Sequence, residues 1–169
     1  MSEFVLNFGP QGGLVGTLCI PGDTAPQPLA VVLLNAGVIP RMGPHRFNVK
    51  LARALAQAGI SSMRLDLSGQ GDSEAATQRS HHEDLALADL QAAMDEVSAR
   101  TGITRFVIAG ICSGAINGLA VAQQDPRVVG LWMLDGYAYP GRWTAWWRIL
   151  RQLRFQFKAT LRAWLTRVW

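Results

Sequence analysis

Gly110-Ile111-Cys112-Ser113-Gly114 is the part of this 169-residue chain whose residue types and spacing could do chemistry. It closes an apolar run, Arg105-Phe106-Val107-Ile108-Ala109, and opens a helix-like run from Ala115 to Gln124. A strand, a sharp turn and a helix, with small residues two before and two after the turn, form the setting of a nucleophile elbow. The turn residue there is strained, and its side chain stands clear at the end of the sheet. Side chains at the flanking positions would strike neighbouring backbone, so glycine is needed. Gly110 and Gly114 frame Cys112 as the apex. With Ser113 at the apex the flanks would be Ile111 and Ala115, and isoleucine does not fit so tight a corner. The competing reading is a glycine-rich turn around a buried, inert cysteine, since free Cys is often buried.

The elements that must position this turn follow from hydrophobic pattern. Residues 3–8 and 14–20, split by Gly9-Pro10-Gln11-Gly12-Gly13, read as a β-hairpin. Leu29 to Leu34 is a continuous apolar run, as in a strand buried on both faces. Phe47 to Ala58 has helical spacing and stops at Gly59. Ile60 to Leu65 reads as a strand, Glu83 to Arg100 as a long amphipathic helix, and Val128 to Leu134 as the strand after the elbow. Strands alternating with helices imply right-handed crossovers. The expected fold class is α/β: a mostly parallel sheet with an N-terminal antiparallel hairpin at one edge and helices on both faces. Functional groups in such sheets gather at the carboxyl ends of the strands. The unusual words fall there: Asn35 to Pro40, Asp66 to Ser73, the Cys112 turn, and Asp135-Gly136-Tyr137.

Composition bounds the class. Apolar residues make up 49 % and charged residues 17 % of the chain, as in a globular α/β domain. No apolar run is long enough to span a bilayer, and the N-terminus has no signal-peptide pattern. Two cysteines, Cys19 and Cys112, make no disulfide framework, and a reducing, cytoplasmic setting is the simpler inference. No metal-ligand spacing occurs, and neither a metal nor a cofactor is expected. The net charge is +4, yet residues 141–169 carry seven basic and no acidic side chains, leaving −3 for residues 1–140. Basicity is therefore a C-terminal property and no argument for nucleic-acid binding. The chain divides into a core, residues 1–140, and a basic, Trp-rich helical segment, residues 141–169.

The motifs resemble the α/β-hydrolase superfamily over about residues 1–140. Asp66-Leu67-Ser68-Gly69-Gln70-Gly71-Asp72-Ser73 is similar to the D-x-x-G-x-G-x-S loop after the fourth strand of many members. Asn35-Ala36-Gly37, Gly43-Pro44-His45-Arg46, Gly71-Asp72-Ser73, Cys112-Ser113-Gly114-Ala115 and Leu134-Asp135-Gly136-Tyr137 resemble the bacterial exosortase-associated and serine-aminopeptidase-like hydrolases. Dienelactone hydrolase is a similar case with cysteine at the apex.

The resemblance implies attack by the Cys112 thiolate on an ester, thioester or lactone carbonyl of a small acyl substrate. A thiolate at a helix N-terminus is favoured by the helix dipole. Two backbone N–H groups would hold the oxyanion: that of Ser113, and that of Gly37 or Val38 in the earlier loop. The superfamily places an acid and then a histidine after the nucleophile. No histidine follows Cys112 here, and the later acids are Asp125 and Asp135. Asp125 is expected in a solvated loop, and Asp135 in an Asp-Gly turn, though it could serve as the acid. His45 lies beside the presumed oxyanion loop; His81 and His82 precede a helix and are weak candidates for a general base. The expectation is that the chain is C-terminally truncated and that the acid and histidine lie beyond Trp169. Residues 141–169 are expected to begin a cap or lid; the rival is a helix that lies on a membrane surface, with arginines on anionic lipid. A non-catalytic, partner- or membrane-binding fragment is the alternative to an enzyme. Oligomeric state is open.

Overall fold

The computed structural model describes residues 1–76 and 82–136, together with Trp146 and Leu150; the side chains of His82 and Glu83 are outside the described residues. The chain forms two compact units, Met1–Tyr137 and Ala138–Trp169. In the second unit Trp146 and Leu150 are helical and exposed. The rest of that unit's expected helix or lid lies outside the described residues, as does His81.

The first unit contains six strands: β1 (Ser2–Phe8), β2 (Leu14–Ile20), β3 (Ala30–Leu33), β4 (Ser61–Leu65), β5 (Phe106–Ile111) and β6 (Val128–Leu134). Three helices join them: α1 (Phe47–Gln57), α2 (His82–Thr101) and α3 (Ser113–Gln124). The sheet order is β1-β2-β4-β3-β5-β6. β1 and β2 form the expected antiparallel hairpin, and β2 also meets β4 antiparallel. β3, β4, β5 and β6 pair in parallel. The expected α/β architecture is the observed one.

Alternation along β3 builds both halves of the core. Ala30, Val32 and Leu34 point to one side, where they meet Leu90, Met94 and Val97 of α2 and Val121 of α3. Val31 and Leu33 point to the other, against Ala52 and Ala56 of α1. All four residues of β3 are buried, which is why the strand reads as an unbroken apolar run. Small alanines on α1 let that helix lie close to the sheet.

From β3 the chain moves to β4 on one side, then crosses to β5 and β6 on the other. The direction of winding thus reverses between β3 and β5. The carboxyl ends of the strands at such a reversal are the usual position of a site in an open α/β sheet. Among the described residues, no helix is long and apolar enough to cross a membrane.

Candidate functional site

The turn after β5 is built by local sterics. Cys112 has φ 55° and ψ −118° and stands immediately before α3. A non-glycine residue with positive φ is costly, and it persists only where the surroundings impose it. The surroundings here are two glycines. A Cβ at Gly110 would come within 3.0 Å of the backbone of Gly114 and Ala115. A Cβ at Gly114 would come within 3.0 Å of the carbonyl oxygen of Asn35. The framing of Cys112, rather than Ser113, as the turn residue therefore matches the geometry. The Cys112 N–H donates to the Leu134 carbonyl at 2.9 Å, tying the turn to the end of β6. Cys112 is half-buried and unpaired.

The approach of Gly114 to Asn35 brings the loop after β3 against the start of α3. Gly37, with φ 59°, donates its N–H to the Ser113 hydroxyl oxygen at 2.7 Å. The structure thus brings together the three predicted residues Cys112, Ser113 and Gly37, though 76 positions separate Gly37 from Ser113. It also shows that the Gly37 N–H already has a partner, the Ser113 side chain. Sequence reasoning considered only the Ser113 backbone. Val38, the other candidate donor, is 85 % exposed.

The loop after β3 is held by a second contact that the sequence reading missed. Asp66, at the end of β4, is fully buried. Its carboxylate accepts from the backbone N–H and the guanidinium of Arg41, from the Asp72 N–H at 3.2 Å, and from Asn35 Nδ2 at 3.4 Å. Arg41 also reaches Asp72 at 2.7 Å. Burial pulls the Arg41 guanidinium down, but its hydrogen bonds to Asp72 and Asp66, with their charges, outweigh this and raise it above its ordinary value. A buried carboxylate needs such a partner. Gly71, at φ 53°, leaves the space that the Asp66 carboxylate fills. Ser73 Oγ donates to the Asp66 carbonyl at 2.7 Å and accepts from the Val15 N–H at 2.8 Å. The D-x-x-G-x-G-x-S word is therefore a scaffold that clamps the neighbouring loop. Asp66 itself was the available signal: an acid ending a buried strand demands a cation nearby.

The remaining candidates are dispersed. His45 is exposed, with φ 49°, in a one-turn 3-10 segment, Pro44–Arg46. Asp135 is exposed with φ 54° after β6. Asp125 departs from its expected solvated loop. It is 6 % exposed and takes hydrogen bonds from Arg127 Nε at 3.0 Å and Nη2 at 2.8 Å. Arg127, two residues on, folds back over it, and its hydrogen bond holds the carboxyl below the usual range. Asp125 closes the far end of α3. Among the described residues, no group of three or more His, Cys, Asp or Glu could hold a metal ion. A cleft of about 630 Å3 opens at the other end of the sheet, beside Pro26, Ser61, Thr101 and Arg105, and does not include the Cys112 turn.

A hairpin-edged, mostly parallel sheet with helices on both faces, in this strand order, defines the α/β-hydrolase class. The chain belongs to the α/β-hydrolase family described as serine aminopeptidase, S33, whose profile matches residues 26–165. Among solved structures it is similar to a cold-adapted esterase from an Arctic intertidal metagenomic library, with 22 % identity and a TM-score of 0.58 over 78 % of this chain and 58 % of that one. A lidless α/β serine hydrolase from Xanthomonas campestris is 27 % identical, with a TM-score of 0.53 over 72 % of this chain and 55 % of that one. The α/β-hydrolase GrgF from a Penicillium species is 18 % identical, with a TM-score of 0.68 over 96 % of this chain and 56 % of that one. The chain spans between 55 % and 58 % of the length of these neighbours. No curated protein matches the chain.

Proposed function

We propose that Cys112 is the nucleophile of an acyl-group hydrolase that takes an ester or thioester and passes through an S-acyl intermediate. The observation that carries this reading is the backbone of Cys112, at φ 55° and ψ −118° between two glycines that tolerate no side chain. Backbone strain of this kind clusters at functional sites, where the surrounding structure imposes it. Ester chemistry follows the esterase and hydrolase neighbours. Where those are described as serine hydrolases, this chain offers a thiol, which needs less activation by a base than a hydroxyl does. Acylation by a substrate with a good leaving group then needs only the thiolate and donors for the oxyanion. Hydrolysis of the acyl-enzyme needs a general base, and none of the described residues is assigned to it. The exosortase-associated resemblance and a cytoplasmic location are part of this proposal.

The test is mass spectrometry of the chain after brief exposure to p-nitrophenyl acetate. The expected product carries one acetyl group on Cys112, and Cys112→Ala carries none. A Cys112 that iodoacetamide alkylates but the ester leaves untouched would overturn the reading. A second reading, contact with a membrane surface through residues 142–169, is supported by the exposed, helical Trp146 and Leu150 four positions apart and by the basic charge of that segment. Failure to co-sediment with anionic vesicles would remove it.

A further inference from the structure

We propose that the Ser113 hydroxyl is itself a catalytic oxyanion donor, interposed between the Gly37 N–H and the acyl oxygen. This rests on the reading of Cys112 as the acylated residue and adds a group to that site. The Gly37 N–H donates to Ser113 Oγ at 2.7 Å. While that bond stands, the N–H is not free to meet a substrate oxygen. A Cβ at Gly37 would meet nothing within 4 Å, so crowding does not account for glycine there. What glycine supplies is its φ of 59°, a backbone conformation that other residues adopt only at a cost. That conformation accompanies the aim of the N–H at the serine.

A hydroxyl accepts and donates at once, and its proton rotates to suit. By accepting from Gly37 it becomes a better donor, since hydrogen bonds in a chain polarise one another. Ser113 is the first residue of α3, so its backbone N–H has no intrahelical partner and is available beside Cys112. Two donors from one residue thus flank the turn: the Ser113 N–H and the Ser113 O–H, the second backed by Gly37.

In the step proposed, the Cys112 thiolate, its proton already given up to solvent, forms a bond from sulfur to the acyl carbon and the carbonyl π pair moves to oxygen. The two Ser113 donors hold that oxyanion, through hydrogen bonds strengthened by its charge. The oxyanion then collapses, the bond to the leaving group breaks, and p-nitrophenolate departs with its electron pair. Ser113 keeps its proton throughout.

The experiment compares two reactions of the same sulfur in the 169-residue chain. Acylation by p-nitrophenyl acetate develops an oxyanion; alkylation by iodoacetamide displaces iodide and develops none. Ser113→Ala is expected to slow acylation about 100-fold, with alkylation within about twofold of wild type. Ser113→Thr and Ser113→Val form a second pair of matched shape, one with the hydroxyl and one without. Thr is expected to acylate at least about tenfold faster than Val. Equal rates in Thr and Val, or faster acylation in Ser113→Ala, would overturn the proposal, because the hydroxyl would then be filler on the Gly37 N–H. A parallel fall in both reactions would overturn it as well, by showing that Ser113 only supports the turn. If wild-type Cys112 alkylates and never acylates, the nucleophile reading itself has failed, and this inference falls with it.

Discussion

Cys19 lies near the end of β2 and Cys112 at the turn after β5, and the same side chain meets two different environments. Cys19 is fully buried between β2 and α1, in the cluster with Val31, Leu33 and Ala52. Burial pushes its thiol above the ordinary range, with the Glu3 charge acting in the same direction. Cys112 is half-buried, at positive φ, before the free N–H groups of a helix. Backbone position and burial thus set how accessible each thiol is. In β2 the thiol serves as a small apolar group. At the turn, the thiol sits half-buried on a strained backbone.

The largest expected effect is on labelling. In the native protein at neutral pH, iodoacetamide should modify Cys112 at least about 100-fold faster than Cys19, as read by peptide mapping. Unfolding in urea should erase the difference; comparable native rates would break the comparison.

Next in size is the cost of closing the corner. Gly114→Ala places a Cβ against the Asn35 carbonyl oxygen and should lower stability to urea by about 3 kcal/mol. A neutral effect would mean that the turn is looser than its geometry.

Substituting the cysteines themselves should give opposite signs. Cys19→Ser buries a hydroxyl among apolar groups and should cost about 2 kcal/mol. Cys112→Gly relieves a positive φ and should gain about 1 kcal/mol while abolishing acylation. Equal signs in equilibrium unfolding would refute the contrast.

The smallest effect separates the two ends of α3. Hydrogen bonding from Arg127 holds the Asp125 carboxyl below its ordinary value of 3.8. Its folded pKa is lower than its unfolded one, so its contribution is present above about pH 4 and fades as pH falls through the folded value. Asp125→Asn should cost about 1 kcal/mol near neutral pH and flatten the acid limb of the urea-stability profile. Cys112 acylation should stay within about twofold, because Asp125 acts on the far end of the helix.

Most elements were legible as periodicity, within a residue or two. α3 begins at Ser113, because the strained Cys112 turns the chain directly into the helix. Asp125 misled because its solvation was judged from a loop-like Asp-Pro word, whereas Arg127 folds back over it. Arg41 carried no motif of its own; its role exists only where the loops after β3 and β4 meet at Asp66.

What the chain determined by itself was local: strands from apolar runs, helices from spacing, and two glycines that favour Cys112 over Ser113 as the turn residue. These depend on contacts between near neighbours, so residue types alone carry them. Tertiary structure decided which distant groups face that apex. The Gly37 N–H meets the Ser113 hydroxyl across 76 positions, and Arg41 meets Asp66 across 25. Those pairings follow from strand order and from the close approach of α3 to the end of β3, neither of which a single stretch of sequence contains.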